Sequence, residues 1–75
     1  MTSELEDFIK RDNDRFLVML REEKKITLAD IYQRAHLITQ WRRTESDRDY
    51  DELFELTLIE LRNLVNASGL VIKNY

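Results

Sequence analysis

The chain of 75 residues is long enough for one domain, and 43% hydrophobic residues are enough for a compact core, which argues against disorder despite 36% charged residues. It has no cysteine for disulfides, and its first residues lack the basic and apolar regions of a secretory signal, so we expect a cytoplasmic protein. The net charge of −3 argues mildly against general nucleic-acid affinity, and the longest apolar run, Phe16 to Leu20, is too short to span a membrane.

The first helix is predicted from about residue 4 to about residue 23. Ser3 and Glu6 can form a capping box at its start. Apolar residues follow at the spacing that places side chains on one helix face, namely Leu5, Phe8, Ile9, Phe16, Met19 and Leu20. The charged stretch at residues 21–25 is too polar for a core. It therefore ends the helix and forms a short connection, which makes the first two helices antiparallel neighbours.

Asp12 lies near the centre of that apolar face, where an unpaired carboxylate would be costly. Two structures would resolve the conflict. Either Asp12 is paired across the core, with Tyr32 or an arginine such as Arg34 as its partner, or the helix breaks at residues 12–14 and restarts there. We favour the continuous helix with a buried, paired carboxylate.

The second helix, predicted over about residues 28–43, has the clearest start in the sequence. Thr27 and Asp30 can exchange hydrogen bonds as a capping box, and Ile26 can pack on Ile31 as a hydrophobic staple. The basic residues at the other end suit the negative end of the helix dipole. The main apolar face of this helix comprises Leu28, Ile31, Tyr32, Ala35 and Ile38.

The third helix is predicted over about residues 50–67, after a polar loop that offers several caps. Asp49 with Glu52, or Ser46 with Asp49, could start it. Its apolar face consists of Tyr50, Leu53, Phe54, Leu61, Leu64 and Val65.

The end of the third helix and the tail follow from Gly69. A left-handed glycine followed by an apolar residue, here Leu70, is the usual stop, because the apolar residue folds back on the last turn. The tail, residues 70–75, is apolar and β-branched. We expect it to be extended and to close the end of the bundle. The alternative is a strand that pairs with another chain.

The sequence offers no convincing catalytic, metal or cofactor motif. His36 follows Gln33 at a spacing used by di-metal bundles, but the second histidine that such sites need is absent. The aspartates from Asp47 to Asp51 alternate like the start of a calcium loop, but Glu52 stands where that loop needs glycine. A single glycine cannot build a phosphate-binding loop. We therefore predict no enzyme, no cofactor and no metal ion.

A nucleic-acid-associated regulator is the alternative function that the sequence leaves open. Its contacts would be the basic residues of helix two and the preceding connection, namely Lys24, Lys25, Arg34, Arg42 and Arg43. Against it, residues 45–60 contain seven acids and one base, which would repel phosphate. This acidic run is either a solvated outer face or a surface aimed at a basic protein.

Four apolar residues lie off the main helix faces: Leu37, Trp41, Leu56 and Ile59. In a lone three-helix bundle some of them would be exposed, and contiguous exposed apolar area usually marks an interface. The alternative is that the helices splay and bury both faces.

The predicted fold is all-α, a small antiparallel three-helix bundle with an extended C-terminal tail. The predicted function is a non-enzymatic protein–protein interaction module, a small regulatory or adaptor protein that docks on a larger protein through apolar helix faces. We expect it to be a homodimer, because a single small core yields little net stability and self-association is a common supplement.

Overall fold

The computed structural model describes residues 3–23 and 26–73, and there the fold is all-helical, as predicted. No helix in these two ranges is long and apolar enough to cross a membrane. The sequence predicted helices at about 4–23, 28–43 and 50–67, and the structure has α1 (Glu4–Glu23), α2 (Leu28–Arg43) and α3 (Tyr50–Ala67). The first helix is continuous through residues 12–14, so the predicted alternative of a break there is wrong.

One buried stripe from each helix meets in the core. The apolar members of that core are Ile9, Leu17, Leu20, Ile26, Ile31, Ala35, Ile38, Leu53, Leu61 and Val65. On α1 the stripe is rotated from the predicted face. Phe8 is 46% exposed and Met19 is exposed too, whereas Leu17 and Asn13 are buried. On α2 the expected core residue Tyr32 is also exposed.

The capping box that starts α2 is confirmed. The hydroxyl of Thr27 accepts a hydrogen bond from the backbone N–H of Asp30 at 3.3 Å, and the Asp30 carboxylate accepts one from the backbone N–H of Thr27 at 3.3 Å. Ile26 and Ile31 are both buried in the core, in agreement with the predicted staple. Local chemistry thus fixes where the chain enters α2.

We expect Thr27→Ala to lower the free energy of unfolding by about 1 kcal/mol, because it leaves an amide of the first turn without its acceptor. Urea denaturation monitored by circular dichroism measures the change. Thr27→Ser keeps the hydroxyl and serves as the matched control. Equal midpoints for the alanine, serine and unmodified proteins would show that the cap contributes no stability.

The other two helix starts differ from the predictions in part. At α1 the Ser3 hydroxyl accepts from the backbone N–H of Glu6 at 3.1 Å, which is one half of the predicted box. At α3 the N-cap residue is Asp49, one of the predicted starts, but its side chain makes no capping hydrogen bond, so neither predicted capping box is formed. The Ser46 hydroxyl instead accepts from the backbone N–H of Arg48 at 3.2 Å and stabilises the loop before the helix.

The predicted stop of α3 is confirmed. Gly69 has a φ of 79°, and its N–H donates to the carbonyl of Asn66 at 3.0 Å. The N–H of Leu70 donates to the carbonyl of Val65 at 3.2 Å, and the Leu70 side chain packs against the core. These two hydrogen bonds define a Schellman motif, which requires the left-handed residue that glycine supplies.

The residues after Leu70 run along the start of α2. The N–H of Lys73 donates to the carbonyl of Ile26 at 2.8 Å, and the carbonyl of Lys73 accepts from the N–H of Leu28 at 3.2 Å. This is an isolated parallel bridge between Thr27 and Lys73. Ile72 packs against the core, whereas Val71 is 76% exposed. Residues 74 and 75 of the predicted tail lie outside the described residues.

Candidate functional site

Arg34 is a buried cation between α1 and α2. Only 8% of its side chain is exposed, and Nη1 lies 2.6 Å from a carboxylate oxygen of Asp12. Nε and Nη2 donate to Oδ1 of Asn13 at 3.1 and 3.0 Å. The guanidinium carbon also lies 5.4 Å from the ring centre of Phe16 and 5.5 Å from that of Trp41. The predicted pairing of Asp12 is therefore confirmed with Arg34 as its partner, although Asp12 is half-buried, with 25% of its side chain exposed.

A second arginine of α2, Arg42, connects all three helices. Nε and Nη2 donate to the two carboxylate oxygens of Glu6 in α1 at 3.0 and 2.8 Å. Nη1 and Nη2 donate to the carboxylate of Glu60 in α3, at 3.2 and 3.1 Å. Nη1 also donates to the hydroxyl of the buried Thr57 at 3.0 Å. The guanidinium group of Arg42 is thus hydrogen-bonded to residues of both α1 and α3.

Burial lowers the pKa of Arg42, but the hydrogen bonds to Glu6 and Glu60, together with their charges, outweigh burial and raise the pKa above its ordinary value. A cation with a raised folded-state pKa adds stability at any pH below its unfolded-state pKa, and that stability is lost only as the pH rises through the folded-state pKa. Both values lie far above neutral, since arginine is protonated throughout the ordinary range. Protonation of Arg42 therefore does not make the free energy of unfolding depend on pH near neutrality.

These pairings limit the basic surface proposed for nucleic acid. The Arg34 and Arg42 side chains are only 8% and 14% exposed and are paired with carboxylates, so a phosphate would have to displace those carboxylates. Arg43 is exposed, but its Nη1 donates to the carbonyls of Ser46 and Arg48 at 3.3 and 2.8 Å. Lys24 and Lys25 lie outside the described residues. Burial and pairing therefore weigh against Arg34 and Arg42 as phosphate contacts.

Two of the four predicted interface residues, Leu37 and Trp41, lie on α2, and Trp41 contacts α1. Trp41 is half-buried against the core, and its ring meets the edge of Phe8 with the ring centres 5.1 Å apart. Leu37 is exposed and lies one turn before Trp41 on the same side of α2. Phe8, which the sequence placed in the core, therefore extends this surface. We call Phe8, Leu37 and Trp41 the α1/α2 patch.

The other two predicted interface residues lie on α3. Leu56 and Ile59 are exposed and three residues apart, so they are neighbours on the helix surface. Their helical positions turn them away from the buried residues Leu53, Thr57 and Leu61. We call Leu56 and Ile59 the α3 patch. The fold thus divides the four predicted residues between two surfaces.

His36 belongs to an aromatic cluster between α2 and α3. Its Nδ1 lies 2.7 Å from the hydroxyl of Tyr50, and its ring stacks on Phe54 with the centres 4.2 Å apart. Tyr32 meets the edge of Phe54 at 6.2 Å. Across residues 3–23 and 26–73, no group of three or more potential ligand side chains is placed to hold a metal ion. The observed role of His36 is packing and hydrogen bonding on a helix boundary.

An open groove of about 720 Å³ lies between α1 and α3. Nothing in the sequence pattern predicted it, because it depends on how far apart the two helices stand. Its walls combine apolar side chains, two amides and six charged groups: Ile9 and Leu64, Asn13 and Asn63, and Glu6, Asp7, Lys10, Asp14, Arg42 and Glu60.

No protein-family model, no curated protein and no solved structure matches the chain. A function for this protein must therefore be inferred from the chemistry of its own residues.

Proposed function

We propose that this protein is a non-enzymatic interaction module, a small regulatory or adaptor protein that forms a homodimer and docks on a larger protein through apolar helix faces. The observation that carries the proposal is the apolar surface left uncovered on all three helices. In the described residues the exposed large hydrophobic side chains are Phe8, Val18, Met19, Tyr32, Leu37, Leu56, Ile59 and Val71. Exposed apolar side chains that neighbour one another, as Leu56 and Ile59 do on α3, are typical of protein–protein contact surfaces.

The proposed architecture is a bundle in which α1 and α2 are antiparallel and the residues after α3 close one end. Two contacts support the orientation: Phe8 meets Trp41, and Asp12, later in α1, meets Arg34, which is earlier in α2. The backbone hydrogen bonds of Lys73 support the closing role of the tail.

We assign self-association to the α1/α2 patch. Aromatic residues are enriched at the centres of interfaces, and this patch holds both Phe8 and Trp41. Its rim carries both signs of charge, since Arg11, Asp12 and Arg15 line a small hollow beside Phe8. A two-fold contact places each surface against itself, so a rim of mixed sign can be self-complementary.

We assign docking of the larger protein to the α3 patch. Three acids, Glu52, Glu55 and Glu60, lie beside Leu56 and Ile59 on that helix, against one base, Arg62. Glu52 is paired with Arg48 and Glu60 with Arg42, so the rim keeps a smaller excess of negative charge. Two copies facing each other through α3 would bring these like charges together, which is unfavourable. An acidic rim around an apolar pair instead suits a partner of opposite charge.

We expect a dimer at micromolar concentration that Leu37→Glu converts to a 9.1 kDa monomer, because the charge would be buried in the interface. Sedimentation equilibrium measures the mass. Leu37 is a better site than Trp41, since Trp41 also packs against the core. Val18→Glu, on the exposed surface of α1, is the matched control and should remain dimeric.

Two results would contradict this assignment. A wild-type protein that stays monomeric across the micromolar range would end the homodimer proposal. A dimer that survives Leu37→Glu but dissociates on Ile59→Glu would move self-association to the α3 patch.

A further inference from the structure

We propose that the groove between α1 and α3 binds a basic amphipathic helix of another protein, with apolar residues along the groove and a cation toward each end. This proposal rests on the proposed function, because it also takes the protein to be an interaction module. It uses a surface separate from the α1/α2 patch, and it identifies the chemistry of one partner. Three observations on the groove walls carry it.

Leu64 supplies the accessible apolar surface of the groove, and Ile9, which is only 2% exposed, lies behind it. Ile9 belongs to the core cluster, and Leu64 packs against that cluster while half-buried. An apolar side chain inserted here would therefore extend the existing core. The α1 wall runs from Glu6 to Asp14, which is about 12 Å at roughly 1.5 Å per residue. That length fits about two turns of a helix lying beside α1.

The charge of the groove selects a basic occupant. Its walls hold four carboxylates and two cations. Arg42 is already neutralised by Glu6 and Glu60. Asp7 and Asp14 remain exposed on the same side of α1, seven residues or two turns apart, with Lys10 between them. A partner helix with lysine or arginine two turns apart would place one cation opposite each carboxylate.

A buried amide in the wall, that of Asn13, can donate hydrogen bonds to an occupant or to water. Asn13 is only 5% exposed, and its Oδ1 accepts both hydrogen bonds from Arg34. Arginine can only donate, so this contact fixes the orientation of the amide and turns Nδ2 away from Arg34. Among residues 3–23 and 26–73, none accepts a hydrogen bond from Nδ2, and since every fully buried polar side-chain atom there has a partner, Nδ2 must keep some access to solvent. We therefore infer that Nδ2 offers its two donors to the groove.

The test uses two labelled synthetic helical peptides with the same leucines, one carrying lysines two turns apart and the other carrying glutamates at those positions. We expect the lysine peptide to bind the full chain and the glutamate peptide not to bind, as measured by fluorescence anisotropy. The side-chain amide resonances of Asn13 should shift in the nitrogen–proton correlation spectrum when the lysine peptide is added. Equal binding of both peptides, or no binding of either, would overturn the proposal.

The double variant Asp7→Asn with Asp14→Asn should weaken binding of the lysine peptide on the order of tenfold, as expected for losing two rim charge pairs. The matched control is Glu22→Gln with Glu23→Gln, which removes two exposed acids at the end of α1 outside the groove and should leave the affinity within about twofold. Equal losses in both variants would show attraction to the whole acidic chain and would overturn the groove site.

The mass of each variant separates this proposal from the homodimer. Asp7→Asn with Asp14→Asn should leave the dimer intact in sedimentation equilibrium. If that variant becomes monomeric, a second copy occupies the groove and the proposal is wrong. If the lysine peptide fails to bind while the wild-type dimer persists, the groove site fails and the homodimer proposal stands.

Discussion

Replacing Asp12 by alanine is expected to lower the free energy of unfolding by about 1 to 3 kcal/mol. The carboxylate makes the 2.6 Å ion pair with Arg34, and the Arg34 side chain is only 8% exposed. Without Asp12 the cation keeps the Asn13 amide oxygen as its hydrogen-bond acceptor but loses its charge partner. An unpaired buried charge is costly because water cannot replace the missing carboxylate. Urea denaturation gives the change directly, and the melting temperature should fall by several degrees.

A double-mutant cycle assigns that loss to the ion pair. Arg34→Met keeps much of the apolar stem and removes the charged guanidinium group. In that background Asp12→Ala should cost little, since no cation remains to be stranded. Melting curves that do not change on Asp12→Ala or on Asp12→Leu would show that the pair contributes no stability.

Local chemistry explains why the helix ends could be predicted from the sequence. The start of α2 depends on Thr27 and Asp30, three residues apart, and the stop of α3 depends on Gly69 and Leu70. Each motif involves neighbours in the chain, so no knowledge of the tertiary structure is needed. The cap predicted for α3 failed because Asp49 starts the helix without any side-chain hydrogen bond, although its residue type suits one.

The sequence alone did not show which face of α1 is buried. The apolar residues of this helix cover a wide arc, and a rotation of about 100°, the angle between successive helix residues, exchanges Asp12 for Asn13 at the centre of the stripe. The rotation is set by α2, because Arg34 needs both residues: the carboxylate for its charge and the amide oxygen for two further hydrogen bonds. Asn13 carried a usable signal, since it lies four residues from Ile9 and four from Leu17.

The sequence identified four residues of the candidate surfaces, but it did not show how those residues are arranged in the fold. Helical spacing identified Leu37, Trp41, Leu56 and Ile59 as lying off the main faces. It could not show that Trp41 turns to Phe8 while Ile59 points away from the core, since that depends on how the helices are placed. The groove between α1 and α3 exists because the two helices stand apart, and the distance between helices produces no periodic pattern in the sequence.

Deleting residues 71–75 is expected to lower the free energy of unfolding by about 2 to 4 kcal/mol while homodimerisation persists in the folded fraction. The deletion removes the Ile72 side chain from the core, worth up to ~2 kcal/mol, and two backbone hydrogen bonds of Lys73, worth about 1 kcal/mol each. Urea denaturation measures the stability, and sedimentation equilibrium on the folded protein measures the mass.

Two neighbouring residues of the tail provide a sharper version of this test. Ile72 packs against the core, whereas Val71 is 76% exposed. Ile72→Ser should therefore destabilise the fold, and Val71→Ser should not. If the tail instead pairs with another chain, its outward residue would meet the partner. Loss of the dimer on Val71→Ser, or on deletion of residues 71–75, with unchanged stability of the monomer would contradict the closing role and make the tail the site of association. The two side chains point to opposite sides of one extended segment. The two substitutions therefore distinguish a tail that closes the end of the bundle from a tail that pairs with another chain, and neither substitution removes backbone.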